Sequence, residues 1–344
     1  MREFKKLEDV KDFKIDKERR FFSAQHEEIA CGATTDIYFI KTLEILEHLG
    51  LAEKKVTAEV FPRRGGVLAG LDEVLNLLKD KDLEIWGLPE GETFESKETV
   101  LRIRGPYKEL AVFETPLLGI LASSCGWATA ARECREAAGD KIFICFGARH
   151  VHPAVASVME RAAVIGGASG ASCILAAKLL NLNPTGTVPH AAFLIAGDTL
   201  TISRAYDEVM PPDSPRIILV DTFKDEVEET LRVADLLKDK LDGIRLDTPS
   251  ERGGVTPDLV KEVRALLNLK GYGHVKIFVS GGLTPEKIRV LSEAGADAFG
   301  VGSYISSASP IDMTMDVKEV DDKPVAKRGR LPGIIENHKL KRFK

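Results

Sequence analysis

A chain of 344 residues with 44% hydrophobic side chains is long enough to bury one large core or two medium ones, which excludes a disordered polymer. Its 48 Lys and Arg against 53 Asp and Glu leave a formal charge of −5, so the broad basic field of a nucleic-acid binder is missing, while local loops can still hold small anions. The cysteines Cys31, Cys125, Cys134, Cys145 and Cys173 form no C-x-x-C pair, and this predicts a reducing, cytoplasmic setting.

Residues 1–20 carry Lys or Arg at eight positions and no apolar stretch, unlike a secretory signal. Between Thr34 and Gly50 the residues Ile37, Ile40, Leu43, Leu46 and Leu49 recur every three, predicting an amphipathic helix with one core face. The set Gly32-Ala33-Thr34-Thr35-Asp36-Ile37-Tyr38-Phe39 places hydroxyls, a carboxylate and rings at that helix start. Val56 to Phe61 reads as a strand, Leu71 to Leu78 as a helix, and Leu83 to Trp86 and Thr99 to Arg104 as strands between Gly and Pro turns. Strands around a lone helix predict a small α/β sandwich. The uncharged run Thr115 to Ala131 is shorter than the ~20 residues of a membrane span and predicts a packed helix.

From Lys141 onward short apolar runs alternate with helical patterns: Ile142 to Phe146, Thr187 with Val188, Ile217 to Val220, Ile244 to Leu246, Ile277 to Val279, and Phe299 with Val301. Continuous rather than alternating hydrophobicity means strands covered on both faces, hence parallel βα units. The 161 residues from 142 to 302 fall short of the ~250 of a complete eight-fold barrel, so an irregular barrel that need not close is expected. Met315 to Val320 reads as a strand returning to the first domain. The expected division is 1–112 with 306–344 for the sandwich and 113–305 for the barrel. From Lys323 on, eight of 22 residues are Lys or Arg and one is Glu, which reads as a solvated basic tail.

Ligands of parallel βα folds bind at the carboxyl ends of the strands. Those ends carry Arg149, His150 and His152, then His190, Asp221, Arg245 with Asp247, Ser280-Gly281-Gly282, and Gly300 with Gly302. In Val279-Ser280-Gly281-Gly282-Leu283-Thr284-Pro285 a glycine turn runs into a helix start, and Phe299-Gly300-Val301-Gly302-Ser303 repeats the device, as suits a phosphate. Asp221 and Asp247 can hold ribose hydroxyls or a hydrated Mg²⁺, or can cap helices. Arg149 beside Phe146 offers a fixed cation and a ring for a flat carboxylate-bearing ligand. His190 stands as either a structural or a functional imidazole. No Lys occupies a strand end, which disfavours Schiff-base aldolase chemistry.

The ordered motifs Gly32 to Phe39, Phe146-Gly147-Ala148-Arg149, Gly186-Thr187-Val188-Pro189-His190, Val220-Asp221-Thr222, Ile244-Arg245-Leu246-Asp247-Thr248 and Val279-Ser280-Gly281-Gly282 resemble archaeal-type nicotinate phosphoribosyltransferase, a relative of quinolinate phosphoribosyltransferase. The resemblance covers about residues 20 to 330. It implies an irregular α/β barrel beside an N-terminal α/β sandwich completed by the C-terminal chain. It also implies conversion of nicotinate and phosphoribosyl pyrophosphate to nicotinate mononucleotide and pyrophosphate in NAD salvage, coupled to ATP as co-substrate.

In that reading Asp221 and Asp247 serve ribose and Mg²⁺, and Ser280, Gly281, Gly282, Gly300 and Gly302 hold the 5′-phosphate. Arg149 takes the nicotinate carboxylate, with Tyr38 and Phe146 stacking on the pyridine and Thr187 and Arg245 completing the substrate site. His190 matches the position that forms a phosphohistidine in ATP-coupled members. A homodimer or higher homo-oligomer is implied. Some archaeal relatives continue into a cysteine-rich zinc segment. This chain has no cysteine after Cys173, so no structural zinc is expected. Alternatives are a quinolinate phosphoribosyltransferase, which calls for a denser cationic cluster, and a phosphoribosyl-ligand sensor without turnover.

Overall fold

The computed structural model describes residues 3–344, and the chain divides into two compact units. One runs to Thr129 and resumes over Ser309–Lys344; the other is Ala130–Ala308. The first break falls inside the helix Glu114–Ala138.

In the first unit an antiparallel sheet is ordered Lys323–Pro324, Met313–Val320, Lys55–Pro62, Leu101–Pro106, Glu84–Gly87, Lys341–Arg342. Leu101–Pro106 alternates buried and half-buried residues, the mark of a strand with one core face. The central strand Lys55–Pro62 is buried along nearly its whole length. Its Val60 lies opposite both Met315 and Leu101, so returning chain completes the sheet. Val60, Ile85, Leu101, Ile103 and Phe113 are fully buried in one apolar core. Helix Ile37–His48 buries Phe39, Ile40 and Leu43, whereas the expected stripe members Ile37 and Leu49 are exposed. Tyr107–Ala138 is a helical run long and apolar enough to cross a membrane by length and composition alone, longer than the uncharged run suggests. Its Leu110, Phe113, Leu117, Leu121 and Cys125 belong to the core, as in a packed helix.

The basic C-terminal stretch is not a solvated tail. Lys341–Arg342 pairs with Glu84–Gly87, and Ile335 N–H donates to the buried Glu59 carboxylate at 3.2 Å. The Lys344 ammonium donates to the Leu78 and Lys79 carbonyls at 3.1 and 2.8 Å, where helix Leu71–Leu77 ends and carbonyls lack partners. The cations are matched by acids and carbonyls remote in sequence, and these anchor the segment.

The second unit is built on a wholly parallel sheet ordered Gly170–Ala171, Ile142–Cys145, Ala298–Val301, Lys276–Val279, Gly243–Leu246, Ile217–Leu219. The connecting helices cover it, and Phe143, Ile244, Ile277, Val279 and Phe299 are fully buried. The sheet is open, with no ladder joining its first and last strands, as expected of a barrel that does not close. Thr187 with Val188, expected as a strand, is instead irregular chain leading into helix His190–Ala196. Pro184 and Pro189 flank it, and proline has no N–H to give to a ladder. A two-residue strand at Gly170–Ala171 stands where sequence shows no apolar run.

Candidate functional site

Because all six strands of the second unit run the same way, the turns after residues 145, 171, 219, 246, 279 and 301 emerge at one end of the sheet. Register fixes which are neighbours. Val279 lies opposite Leu246 and Phe299, and Leu219 opposite Arg245.

One part of this end is tightly bonded. Arg245 Nε donates to Ser280 Oγ at 2.8 Å, and Ser280 Oγ donates in turn to Asp247 Oδ1 at 2.7 Å. A second guanidinium nitrogen of Arg245 donates to Thr187 Oγ1 at 2.8 Å, and a third is 3.2 Å from Asp247 Oδ2. Arg245 thus brings the irregular 187 segment to the ends of two strands. Its guanidinium also lies over the Phe146 ring, 5.3 Å from the centroid.

The glycines follow two different requirements. Gly281 and Gly282 are exposed with φ of +95° and +59°, a left-handed pair that side-chain-bearing residues adopt only under strain. A Cβ at Gly281 would stand 3.2 Å from Asp247 Oδ1. Thr284 then caps helix Pro285–Glu293, accepting from Lys287 N–H at 3.4 Å. Gly300 is buried, and a Cβ there would stand 2.5 Å from the Phe146 ring; at Gly302 it would meet the Phe146 carbonyl and His150 at 2.9 Å. These two glycines give space to the 146–150 turn.

Asp221 has other surroundings. Its side chain is wholly buried, and neither oxygen has a hydrogen bond among the described residues; the neighbouring Thr222 hydroxyl has none either. His190 Nε2, at the first position of its helix, lies 3.3 Å from Asp221 Oδ1, an ion-pair distance without hydrogen-bond alignment. Burial pushes the Asp221 carboxyl above its ordinary value, His190 opposes the rise and Asp247 adds to it. A buried carboxylate with two unpartnered oxygens is chemically suited to a hydrated cation or sugar hydroxyls. Asp247 already engages Ser280 and Arg245. No group of three or more His, Cys, Asp or Glu is arranged as a metal cluster among the described residues.

Arg149 is exposed on the short helix Ala148–His150 and has no polar partner among the described residues, so its five donors are available. His150 Nδ1 is 3.2 Å from Ser306 Oγ. His152 is a capping residue: its Nδ1 accepts from Ala154 N–H at 3.1 Å at the start of helix Pro153–Gly166. Tyr38 belongs to the first unit, where it is exposed with its ring 4.3 Å from that of Phe39.

Glu160 is absent from the strand-end set because it lies mid-helix. It is fully buried and accepts four hydrogen bonds from the turns after residues 145 and 171. A signal for it exists in the sequence: Glu160 shares a helix face with Ala156 and Ala163, so the apolar spacing itself predicts a buried acid in need of donors.

Two strand-end carboxylates, an imidazole beside one of them and a glycine turn thus stand at the carboxyl ends of one parallel α/β sheet, where ligands of such folds bind. Comparison with known proteins sharpens this. Residues 36–125 match the N-terminal domain of quinolinate phosphoribosyl transferase and residues 127–316 its C-terminal domain. The chain belongs to the quinolinate phosphoribosyl transferase family. Among curated relatives, nicotinate phosphoribosyltransferase of Bacillus subtilis is 29% identical over 80% of this chain, which spans 63% of that protein's length. Nicotinate phosphoribosyltransferase pncB1 of Mycobacterium tuberculosis is 29% identical over 86% of this chain and 74% of its own. The crystal structure of nicotinate-nucleotide pyrophosphorylase from Pyrococcus furiosus superposes with a TM-score of 0.88 at 45% identity, covering 92% of this chain and 82% of that one. Human nicotinic acid phosphoribosyltransferase shares the fold, with a TM-score of 0.67 at 18% identity over 87% of this chain and 77% of that one.

Proposed function

We propose that the protein is a nicotinate phosphoribosyltransferase, joining nicotinate to the ribose of phosphoribosyl pyrophosphate and releasing pyrophosphate. The observation that carries the reading is the pairing, at neighbouring strand ends, of a buried unpartnered Asp221 with the bonded Arg245–Ser280–Asp247 chain. The names of the Bacillus and Mycobacterium relatives point the same way.

Breaking the bond from C1′ to pyrophosphate builds positive charge on the ribose, which the Asp221 and Asp247 carboxylates favour. The turn at Gly281 and Gly282 offers its backbone N–H groups to the 5′-phosphate beside Ser280, so the ribose is held still as the pyridine nitrogen attacks, while Gly300 and Gly302 act by leaving room for the 146–150 turn. Arg149 binds the nicotinate carboxylate, and Phe146 presents its ring to the pyridine with Thr187 and Arg245 behind it. The unpartnered oxygens of Asp221 fit Mg²⁺, held with Asp247 nearby, and the ion would offset charge on the departing pyrophosphate. One unpartnered guanidinium suits a mono-acid better than quinolinate, whose two carboxylates call for more cations. Pyrophosphate release measured with nicotinate, nicotinamide and quinolinate against one donor tests this: nicotinate should dominate, and a preference for quinolinate would overturn it.

ATP coupling belongs to the same reading. With Nε2 turned to Asp221, the Nδ1 atom of His190 is the ring nitrogen left to take a phosphoryl group. His190→Ala should abolish stimulation by ATP while slow phosphoribosyl transfer persists; stimulation surviving intact would remove the phosphohistidine. The setting is cytoplasmic, and the working form a homodimer or higher homo-oligomer.

A further inference from the structure

The turn carrying Arg149 has no regular ladder beyond Phe146, whose N–H still donates to Val301 at 2.7 Å. One backbone bond closes the turn, His150 N–H to the Gly147 carbonyl at 2.9 Å, and the N–H groups of Gly147 and Ala148 are left to find side-chain partners. Gly147 N–H and Ala148 N–H both donate to Glu160 Oε1, at 3.1 and 3.0 Å. The same oxygen accepts from Ser172 Oγ at 2.9 Å, and Oε2 accepts from Cys173 N–H at 2.6 Å. The Glu160 side chain is fully buried. Its four donors come from two turns after adjacent parallel strands, Ile142–Cys145 and Gly170–Ala171. Gly147 admits the close approach: a Cβ there would stand 2.6 Å from Met159 Cε, on the residue preceding Glu160.

We propose that Glu160 is a positioning residue for substrate recognition, fixing the Arg149 turn by collecting the N–H groups of the two residues just before Arg149. The inference rests on the reading of Arg149 as the binder of the nicotinate carboxylate. An exposed arginine on an irregular turn is a precise recognition group only if its backbone is held, and charge-assisted hydrogen bonds to a buried carboxylate are about twice as strong as neutral ones. Tying the 172–173 turn to the same carboxylate couples the two loops.

Glu160→Gln keeps the shape and the acceptor oxygen, but sets an NH₂ group against an N–H or O–H donor and removes the charge. The test measures Michaelis constants for nicotinate and for phosphoribosyl pyrophosphate, with melting temperatures, in the wild type, R149A, E160Q, E160D and R149A/E160Q. E160Q is expected to raise the nicotinate KM about tenfold while leaving the donor KM and kcat near wild type, since weakening one charge-assisted contact by about 1.4 kcal/mol is a tenfold loss of affinity. E160D, which restores the charge on a shorter arm, should lie between. In the R149A background E160Q should add nothing further to the nicotinate KM, because the two act through one contact.

A nicotinate KM raised in R149A but unmoved in E160Q, an E160Q effect undiminished in R149A, or equal rises for both substrates would each overturn the role of Glu160. If E160Q does not fold, E160D decides by the same split. A nicotinate KM unmoved in R149A overturns the Arg149 reading itself, and with it the route assigned to Glu160.

Discussion

Asp221 and Asp247 close neighbouring strands of one barrel and stand in opposite surroundings. Asp247 is bonded: Ser280 donates to one oxygen, and Arg245 is 3.2 Å from the other. Asp221 is buried with neither oxygen hydrogen-bonded and only His190 within ion-pair range. A buried polar group without partners is costly, and native structures keep few of them. The contrast separates a part of the site assembled by the fold from a part whose polar groups are left for a ligand. The two should therefore respond oppositely to mutation, one losing stability with activity and the other exchanging one for the other.

The largest effect should come from Asp221→Asn. Burial raises the Asp221 carboxyl, so between the ordinary carboxylate range and its elevated value the native state binds more protons than the unfolded state. Stability therefore falls as pH rises through that window, and the deficit persists at neutral pH. Asparagine has no charge to bury. D221N should lower kcat by roughly 10²–10³-fold, the range for removing one electrostatic stabiliser, while raising the melting temperature at pH 7. A melting temperature that falls along with activity would show that the His190 pair outweighs desolvation, and the contrast with Asp247 would not hold.

Ser280→Ala attacks the bonded part. It removes the hydroxyl that accepts from Arg245 Nε and donates to Asp247 Oδ1. The expected costs are about 2 kcal/mol of stability and about a tenfold loss in kcat/KM, the scale of one hydrogen bond to a charged group. Thermal melting and steady-state kinetics on one preparation read both. Activity lost with no change in melting would place Ser280 with Asp221 rather than with Asp247.

The legibility of these features in the sequence follows the range of the forces involved. Barrel strands such as Ile277 to Val279 show as apolar runs because burial on both faces is a local requirement, and the turn Ser280-Gly281-Gly282 shows because left-handed backbone calls for glycine. Thr187 with Val188 has β-branched residues but misleads, since the flanking prolines lack N–H groups for a ladder. The C-terminal stretch reads as a solvated tail because the acids and carbonyls that hold it, Glu59, Leu78 and Lys79, lie more than 200 residues away. The difference between Asp221 and Asp247 is invisible for the same reason: both end a strand before a threonine, and only the partners supplied by other strands tell them apart.

Glu114 carries the comparison of satisfied and unsatisfied acids into the first unit, with the smallest expected effect. It opens helix Glu114–Ala138, and burial raises its carboxyl to about 7, with Asp316 adding repulsion and Lys327 opposing. The unfolded chain titrates this group near 4.5, so between 4.5 and about 7 the native state holds the extra proton and each step up in pH weakens the fold. Below that window the contribution is complete; above it, the contribution is gone. Glu114→Gln should flatten the fall in melting temperature between pH 5 and 8 and leave kcat within about twofold at pH 7, as for a substitution that preserves shape. A pH profile of melting identical in E114Q and wild type would remove Glu114 as a source of that slope, and the raised carboxyl of Asp221 would stand as the acid in the barrel to test next.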